Sequence, residues 1–481
     1  MALEMNLPES DVRTYFAQEP APTVDLCDVD PRVVFDMLPD VALLEMFDFY
    51  VDQDKEWVEA WHTLVHVCRR WRNVVFGSPR RLNLQLFCTH STPVRGTIDA
   101  WPLLPILVSG YGYEEGGTDN IIAAFEHNDR IRQLNLVGFP RSQTEKLLAA
   151  MQQPFPALTS LRLVSNETVP AVPVSFLGGS APQLLRLTLE STTFPGLPKL
   201  LLSASHLVEL TLWKIPHSGY FSPEAMVASL AMLTRLERFY LEFKSPRSRP
   251  DRKGRRPPLQ TRTLLPSLTK LRFLGVSEYL DDLVARIDAP LLDELDITFF
   301  HQLIFDTPQL SQLISRTPKL KAYDEAHVNF SDRRVWVTTI DGKFTLAISC
   351  RQSDWQLSSL AQVCGLVFTL AVEHLYILEG QNLRPSWQHD IESGQWMEVL
   401  RPLAAVRHLY LSREFTPRIA PTLQELVGGR VTEVLPALQT LFLEEALPSG
   451  PVQEGIGKFV DARQLAGHSV AVSLWERKRF Q

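Results

Sequence analysis

The sequence predicts an α/β chain in which a small helical module is followed by an irregular solenoid with a parallel strand face. Three observations carry that expectation. A six-residue phrase, apolar at its first, fourth and sixth positions, recurs from Ile131 to Leu443, and self-similarity at a period of roughly 20–50 residues marks stacked repeats. Helix starts stand between the phrases: Ser142 with Glu145, Ser222-Pro223-Glu224, and Thr307-Pro308. Ahead of the phrases, residues 38–75 keep a helical period instead.

In chain order, residues 1–30 are acidic and proline-punctuated with no sustained period, as expected of a disordered tail. The module occupies residues 31–77. Pro39 suits the first turn of a helix opening near Leu38, and Leu43, Leu44, Met46, Phe47 and Tyr50 recur at three- and four-residue steps. After the polar turn Asp52-Gln53-Asp54, a second face runs through Trp57, Trp61, Leu64, Val65, Cys68, Trp71 and Val75, broken once. A unit of about 40 residues seldom buries enough surface to fold alone, so these faces call for a partner.

Leu38-Pro39, Leu43-Leu44 and Met46-Phe47, then Val67-Cys68-Arg69-Arg70-Trp71-Arg72, resemble the F-box. The resemblance covers about a tenth of the chain and implies a module that docks onto the Skp-type adaptor of a cullin ubiquitin ligase. Carried over position by position, Leu38, Pro39, Leu43, Leu44, Met46 and Phe47 supply the first half of the adaptor contact, and Val67, Cys68 and Trp71 the second. Val41 and Ala42 stand where the family commonly has an acidic residue and a bulky aliphatic one.

Residues 78–130 read as a connector, with a strand suggested by Leu82, Leu84 and Leu86. The repeat array spans 131–445. It carries a basic loop at 244–262, rich in proline and serine, and an extra hairpin at 335–350 turning on Asp341-Gly342. One degraded phrase is read at Leu320-Tyr323. Residues 446–481 read as a helix and strand capping the array. The phrase resembles the leucine-rich repeat, and the combination resembles the F-box proteins expanded in mushroom-forming (basidiomycete) fungi.

A net charge of −7, from 48 basic and 55 acidic residues, gives no global attraction to nucleic acid or anionic membrane. The basic loop lacks interleaved aromatic residues, which argues against base stacking. No apolar stretch approaches a membrane span, and no basic-then-apolar leader opens the sequence. Five scattered cysteines without a paired motif favour a reducing compartment, cytoplasmic or nuclear. Gly110-Tyr111-Gly112 and Gly455-Ile456-Gly457-Lys458 lack the spacing of nucleotide loops, and no zinc or serine-hydrolase motif is present. The expectation is a non-catalytic chain with no cofactor and no metal site, any ligase chemistry coming from partner subunits.

The third and fifth positions of each phrase should face outward together. They are basic at Ser160/Arg162, Arg186/Thr188, Arg238/Tyr240 and Lys270/Arg272, and acidic at Glu294/Asp296 and Asp324. At His374/Tyr376, His408/Tyr410 and Thr440/Phe442 they are aromatic or histidine. Tyr376, Tyr410 and Phe442 are therefore expected to anchor a protein substrate, while Arg162, Arg186, Arg238, Tyr240 and Arg272 attract an acidic segment of it. The resulting expectation is a substrate receptor of an SCF-type cullin ligase; the alternatives are an interaction scaffold outside any ligase and a nucleic-acid-binding repeat protein.

Overall fold

A computed structural model describes residues 38–53, 60–89, 93–112, 117–165, 171–250, 262–305, 307–320, 323–350, 353–367, 372–380, 393–446 and 450–477. The expected tail, Trp57 and the middle of the basic loop lie outside the described residues. The chain divides into two compact units, Met1–Leu84 and Gln85–Gln481.

The first unit holds α1 (Asp40–Gln53), α2 (Ala60–Val67) and α3 (Arg69–Gly77). Pro39 is the residue before the first turn rather than inside it: its carbonyl accepts the N–H groups of Ala42 at 2.9 Å and Leu43 at 3.1 Å. The second face breaks at Cys68, whose Sγ accepts the Trp71 N–H at 3.4 Å and so caps α3. Leu43, Phe47, Trp61, Leu64, Val65 and Val75 are buried, and the Phe47 and Trp71 rings meet at 4.8 Å. Arg70 joins α3 to the start of α1 through Asp40, at 2.8 Å. Leu82 and Leu84, expected in a strand, are instead buried in a turn, with the Leu84 N–H donated to the Pro79 carbonyl.

The second unit is one sheet of sixteen strands among the described residues, with a small separate pair. Its first half runs β1 (Leu86–Cys88), β2 (Ile106–Tyr111), β3 (Ile131–Val137), β4 (Ser160–Val164), β5 (Arg186–Glu190), β6 (Glu209–Ile215) and β7 (Arg238–Phe243), all parallel. Residues 78–130 are thus not a connector. They supply β1 and β2, and the stack opens at Leu86. Gly112 follows β2 because a Cβ there would lie 2.2 Å from the Gly138 carbonyl oxygen.

Beyond β7 come β9 (Lys270–Gly275) and β11 (Glu294–Phe300), while β8 (Thr263–Leu264) and β10 (Ile287–Asp288) form the separate pair. At the described ends of the basic loop Lys244, Arg247, Arg249 and Arg262 are exposed; Ser248 is buried, and Arg262 donates to the Ala285 carbonyl at 3.2 Å.

The expected extra hairpin is real, yet it is built into the sheet rather than added to it. β12 (Glu325–Phe330), β13 (Arg334–Thr339) and β14 (Phe344–Ser349) form an antiparallel meander. β14 pairs with β11, and β12 carries the parallel stack onward to β15 (His374–Glu379), β16 (His408–Leu411), β17 (Thr440–Leu443) and β18 (Ala471–Leu474). The degraded phrase begins at Tyr323, three residues later than Leu320. Its fourth and sixth positions are Ala326 and Val328, in register with Leu375 and Ile377, and Asp324 therefore precedes the strand.

The phrase explains the packing. Leu134, Leu161, Leu187, Leu210, Phe239, Leu271 and Leu295 occupy successive strands in one register and are all buried. Burying each contributes about 1.5–3 kcal/mol, and a one-residue slip would turn the whole row outward, so the register is strongly specified. Helices fill the returns. α6 (Arg141–Ala150) opens at Pro140 and not through the expected Ser142–Glu145 box. α8 (Pro223–Leu230) is capped by Ser222, whose Oγ accepts the Ala225 N–H at 3.3 Å. α9 (Ser277–Val284) lends Asp281 to the next helix, α10 (Pro308–Arg316), capping its Gln309 N–H at 2.8 Å and Leu310 N–H at 3.1 Å. The last helix, α14 (Pro451–Leu465), buries Arg463 against the preceding repeat.

Candidate partner-binding face

Helices occupy the returns on one side of the sheet, and on the other the outward third and fifth positions are half-buried or exposed, except the buried Thr211 and His327. In-register parallel strands set each outward side chain beside its equivalent one strand away, a spacing of about 4.8 Å. Aromatic rings at such positions stack. Tyr376 and Tyr410 lie 4.0 Å apart with planes 7° from parallel, and Tyr410 and Phe442 4.4 Å apart at 3°. The three anchor candidates therefore form one continuous stack, and its histidine neighbours do likewise, His374 and His408 meeting at 4.5 Å.

Sequence reasoning missed the residues that border this stack. His327 extends it, 4.5 Å from Tyr376, and was hidden by the shifted phrase. Trp336, on β13, lies against Gly380, where a Cβ would come within 2.7 Å of the ring; the alternation Val335-Trp336-Val337 already turned it outward. Trp475 approaches Tyr376 and Tyr410 edge-on at 5.7 and 5.6 Å and donates its Nε1–H to the Leu411 carbonyl. It continues the outward positions Ala471 and Ser473 by one more step of two.

Burial lowers the His408 pKa, and the neighbouring His374 lowers it further. The Tyr376 phenol is raised, first by burial and then by Glu325.

The cationic half differs from its expectation. Arg238 pairs with Glu209 at 2.9 Å, Lys270 with Glu294 at 2.5 Å and Arg272 with Asp296 at 3.2 Å, each across one strand. The reason is register: Glu209 faces Arg238, and Asp296 faces Arg272. This stretch is a mixed-charge ladder rather than a basic surface, and each such partly exposed pair contributes only about 0–1 kcal/mol. Tyr240 stands half-buried in the same rows, its phenol raised by burial and by Glu209. Arg162 and Arg186 are exposed on adjacent strands and make no ion pair among the described residues. They are the two of the five that keep the expected positive character.

In the helical unit, Leu43 and Phe47 are buried and serve its own interior. Met46 and Val67 are 44% and 56% exposed, Leu38, Leu44, Cys68 and Trp71 are half-buried, and Pro39 is exposed. Val41, Phe49 and Tyr50 add exposed apolar surface that the motif did not single out.

The Cys350 Sγ lies 3.8 Å from His301 Nδ1 and 3.8 Å from Ser359 Oγ. Burial pushes that thiol up to about 11, so at neutral pH it is protonated and a poor nucleophile. Among the described residues no group of three or more metal-ligating side chains converges, and no helix is long and apolar enough to cross a membrane.

The strand order and the helical returns define the class: an α/β solenoid of leucine-rich-repeat type, with a helical unit ahead of it. No protein-family model matches the sequence, and no curated protein matches it. Among solved structures, similarity is found to the leucine-rich repeat-containing protein LegL7 from Legionella pneumophila, at 13% identity over 80% of this chain and 98% of that one, with a TM-score of 0.28. It is also found to the TLR13–ssRNA13 complex, at 13% identity over 82% of this chain and 49% of that one, with a TM-score of 0.30. Scores this low carry no functional argument, and the class rests on the topology of the chain itself.

Proposed function

We propose that the chain is the substrate receptor of an SCF-type cullin ubiquitin ligase. Its helical unit binds the Skp-type adaptor, and the outward face of the array holds the protein to be modified. The observation that carries this reading is the coincidence of the F-box-like residues with unburied apolar surface: Met46 and Val67 are exposed on a small helical unit whose interior is already filled by Leu43, Phe47 and Trp61. Met46 shares one helix face with the exposed Phe49 and Tyr50, and exposed apolar groups clustered in this way mark interaction surfaces. The mechanism is proximity, since a bound partner held near a charged conjugating enzyme gains effective concentration without any chemistry by this chain.

The test is titration of a purified Skp-type adaptor against the intact chain and against Met46→Glu with Val67→Glu. Both positions are exposed, so the fold should survive. The expected result is submicromolar binding by the intact chain, weakened about a hundredfold in the variant, as loss of about 3 kcal/mol requires. Equal binding by both chains would remove the F-box reading.

A further inference from the structure

The aromatic stack is partly covered by the chain itself. The chain runs on past β18 with Trp475 and Arg477 half-buried and Glu476 between them exposed, so alternate side chains turn toward the sheet. The Trp475 N–H bonds the Leu443 carbonyl at 3.0 Å, and its indole sets an edge against Tyr376 and Tyr410. Arg477 reaches the end of β15, ninety-eight residues away in sequence, pairing with the Glu379 carboxylate and donating to the Glu379 carbonyl at 2.8 Å. The second carboxylate oxygen of Glu379, Oε2, is buried and has no hydrogen-bond partner among the described residues.

We propose that this stretch occupies a peptide-binding site, and that the ligand of the site is an extended protein segment carrying an aromatic residue followed two positions later by arginine. The proposal rests on the reading that this face receives the partner, and it names the chemistry of that partner. Tyr376 and Tyr410 have their faces engaged in the stack, so they offer edges and hydroxyls, and an incoming indole or phenyl ring meets them as Trp475 does. Glu379 receives the guanidinium, and its Oε2, unpartnered among the described residues, allows a two-pronged pair that Arg477 does not complete. The main-chain acceptors at Leu411 and Leu443 fix the direction of the segment. Residues 475–477 are then a built-in competitor. Tethered beside its site, such a segment has an effective concentration on the order of millimolar, which weakens an outside ligand without abolishing its binding.

The experiment uses a fluorescent peptide of residues 473–481, Ser-Leu-Trp-Glu-Arg-Lys-Arg-Phe-Gln, titrated by anisotropy. The probed proteins are the full chain, the chain ending at Leu474, and that shortened chain with Glu379→Lys. The shortened chain should bind the peptide about tenfold or more tightly than the full chain does, and Glu379→Lys should remove most of that binding. In case removal of Trp475 unfolds the last repeat, Arg477→Glu in the full chain loosens the same stretch while keeping the indole. It should raise peptide affinity over the unaltered chain. Equal binding by the full and opened chains, no binding by a folded opened chain, or indifference to Glu379→Lys would each overturn the proposal. Adaptor binding is a separate measurement on the helical unit, so failure here leaves that reading standing and the reverse also holds.

Discussion

Tyr410 has both ring faces engaged, by Tyr376 on one neighbouring strand and Phe442 on the next. A residue expected only to grip a partner is thus also a brace between repeats. Each ring pair contributes about 0.5–1.5 kcal/mol beyond the area it buries, so Tyr410→Ala should lower unfolding stability by at least about 1–3 kcal/mol in urea titrations. An unchanged midpoint would contradict the stacking. The adjoining His408 makes a separate prediction. Burial and His374 hold its pKa below the free value, with Arg407 acting in the same direction and Glu373 against it. As pH falls, the unfolded chain takes up this proton before the folded one. His408 therefore contributes its full stability above the unfolded pKa of about 6.5, and that contribution is lost as pH drops through the lower folded value. His408→Phe keeps a ring and removes the proton, so the fall in melting temperature between about pH 7.5 and about pH 5.5 should be smaller in the variant. Identical slopes would show that His408 does not titrate in this window.

At the scale of elements, repeats are joined by side chains that reach across the boundary between them. Arg463, buried on α14, donates to the carbonyls of Val431, Leu435, Pro436 and Leu438, which end the preceding repeat. Arg463→Ala should cost about 3 kcal/mol or more, because several buried acceptors lose their donor; calorimetry would read the loss as an early transition of the last repeat, and an unaltered melting profile would contradict the clamp. Contacts of this kind are the part that sequence reading could not supply. The alternation of Leu134 with Leu136, or Leu187 with Leu189, is local, and it disclosed the strands, their inward rows and their outward positions directly. Asp281 capping α10 is not local, and Thr307 looked like the natural cap. Tyr323, Ala326 and Val328 form a true phrase, but alanine is weakly apolar and Leu320 fits a frame three residues earlier, so His327 was lost from the face. That Tyr376, Tyr410 and Phe442 share the outward face was legible from position alone; that their rings stack was not. The ion pairs of Arg238 and Arg272 depended on register between strands, and Trp475 and Arg477 on a return of the chain that no period announces.

Two surfaces in two structural units are what the whole-molecule account requires: one on the helical unit for the adaptor, one on the array for the partner. Their independence is itself a prediction: the two surfaces are drawn from different structural units, and changes at sites without shared partners act additively. The most direct measurement is quantitative affinity purification from cells under proteasome inhibition, comparing the intact chain, Met46→Glu with Val67→Glu, and Glu379→Lys. The intact chain should recover the Skp-type adaptor, a cullin and a partner protein together. The first variant should lose adaptor and cullin while keeping the partner, and the second should lose the partner while keeping adaptor and cullin. Absence of adaptor and cullin from the intact chain, or their undiminished recovery with Met46→Glu and Val67→Glu, would contradict the account.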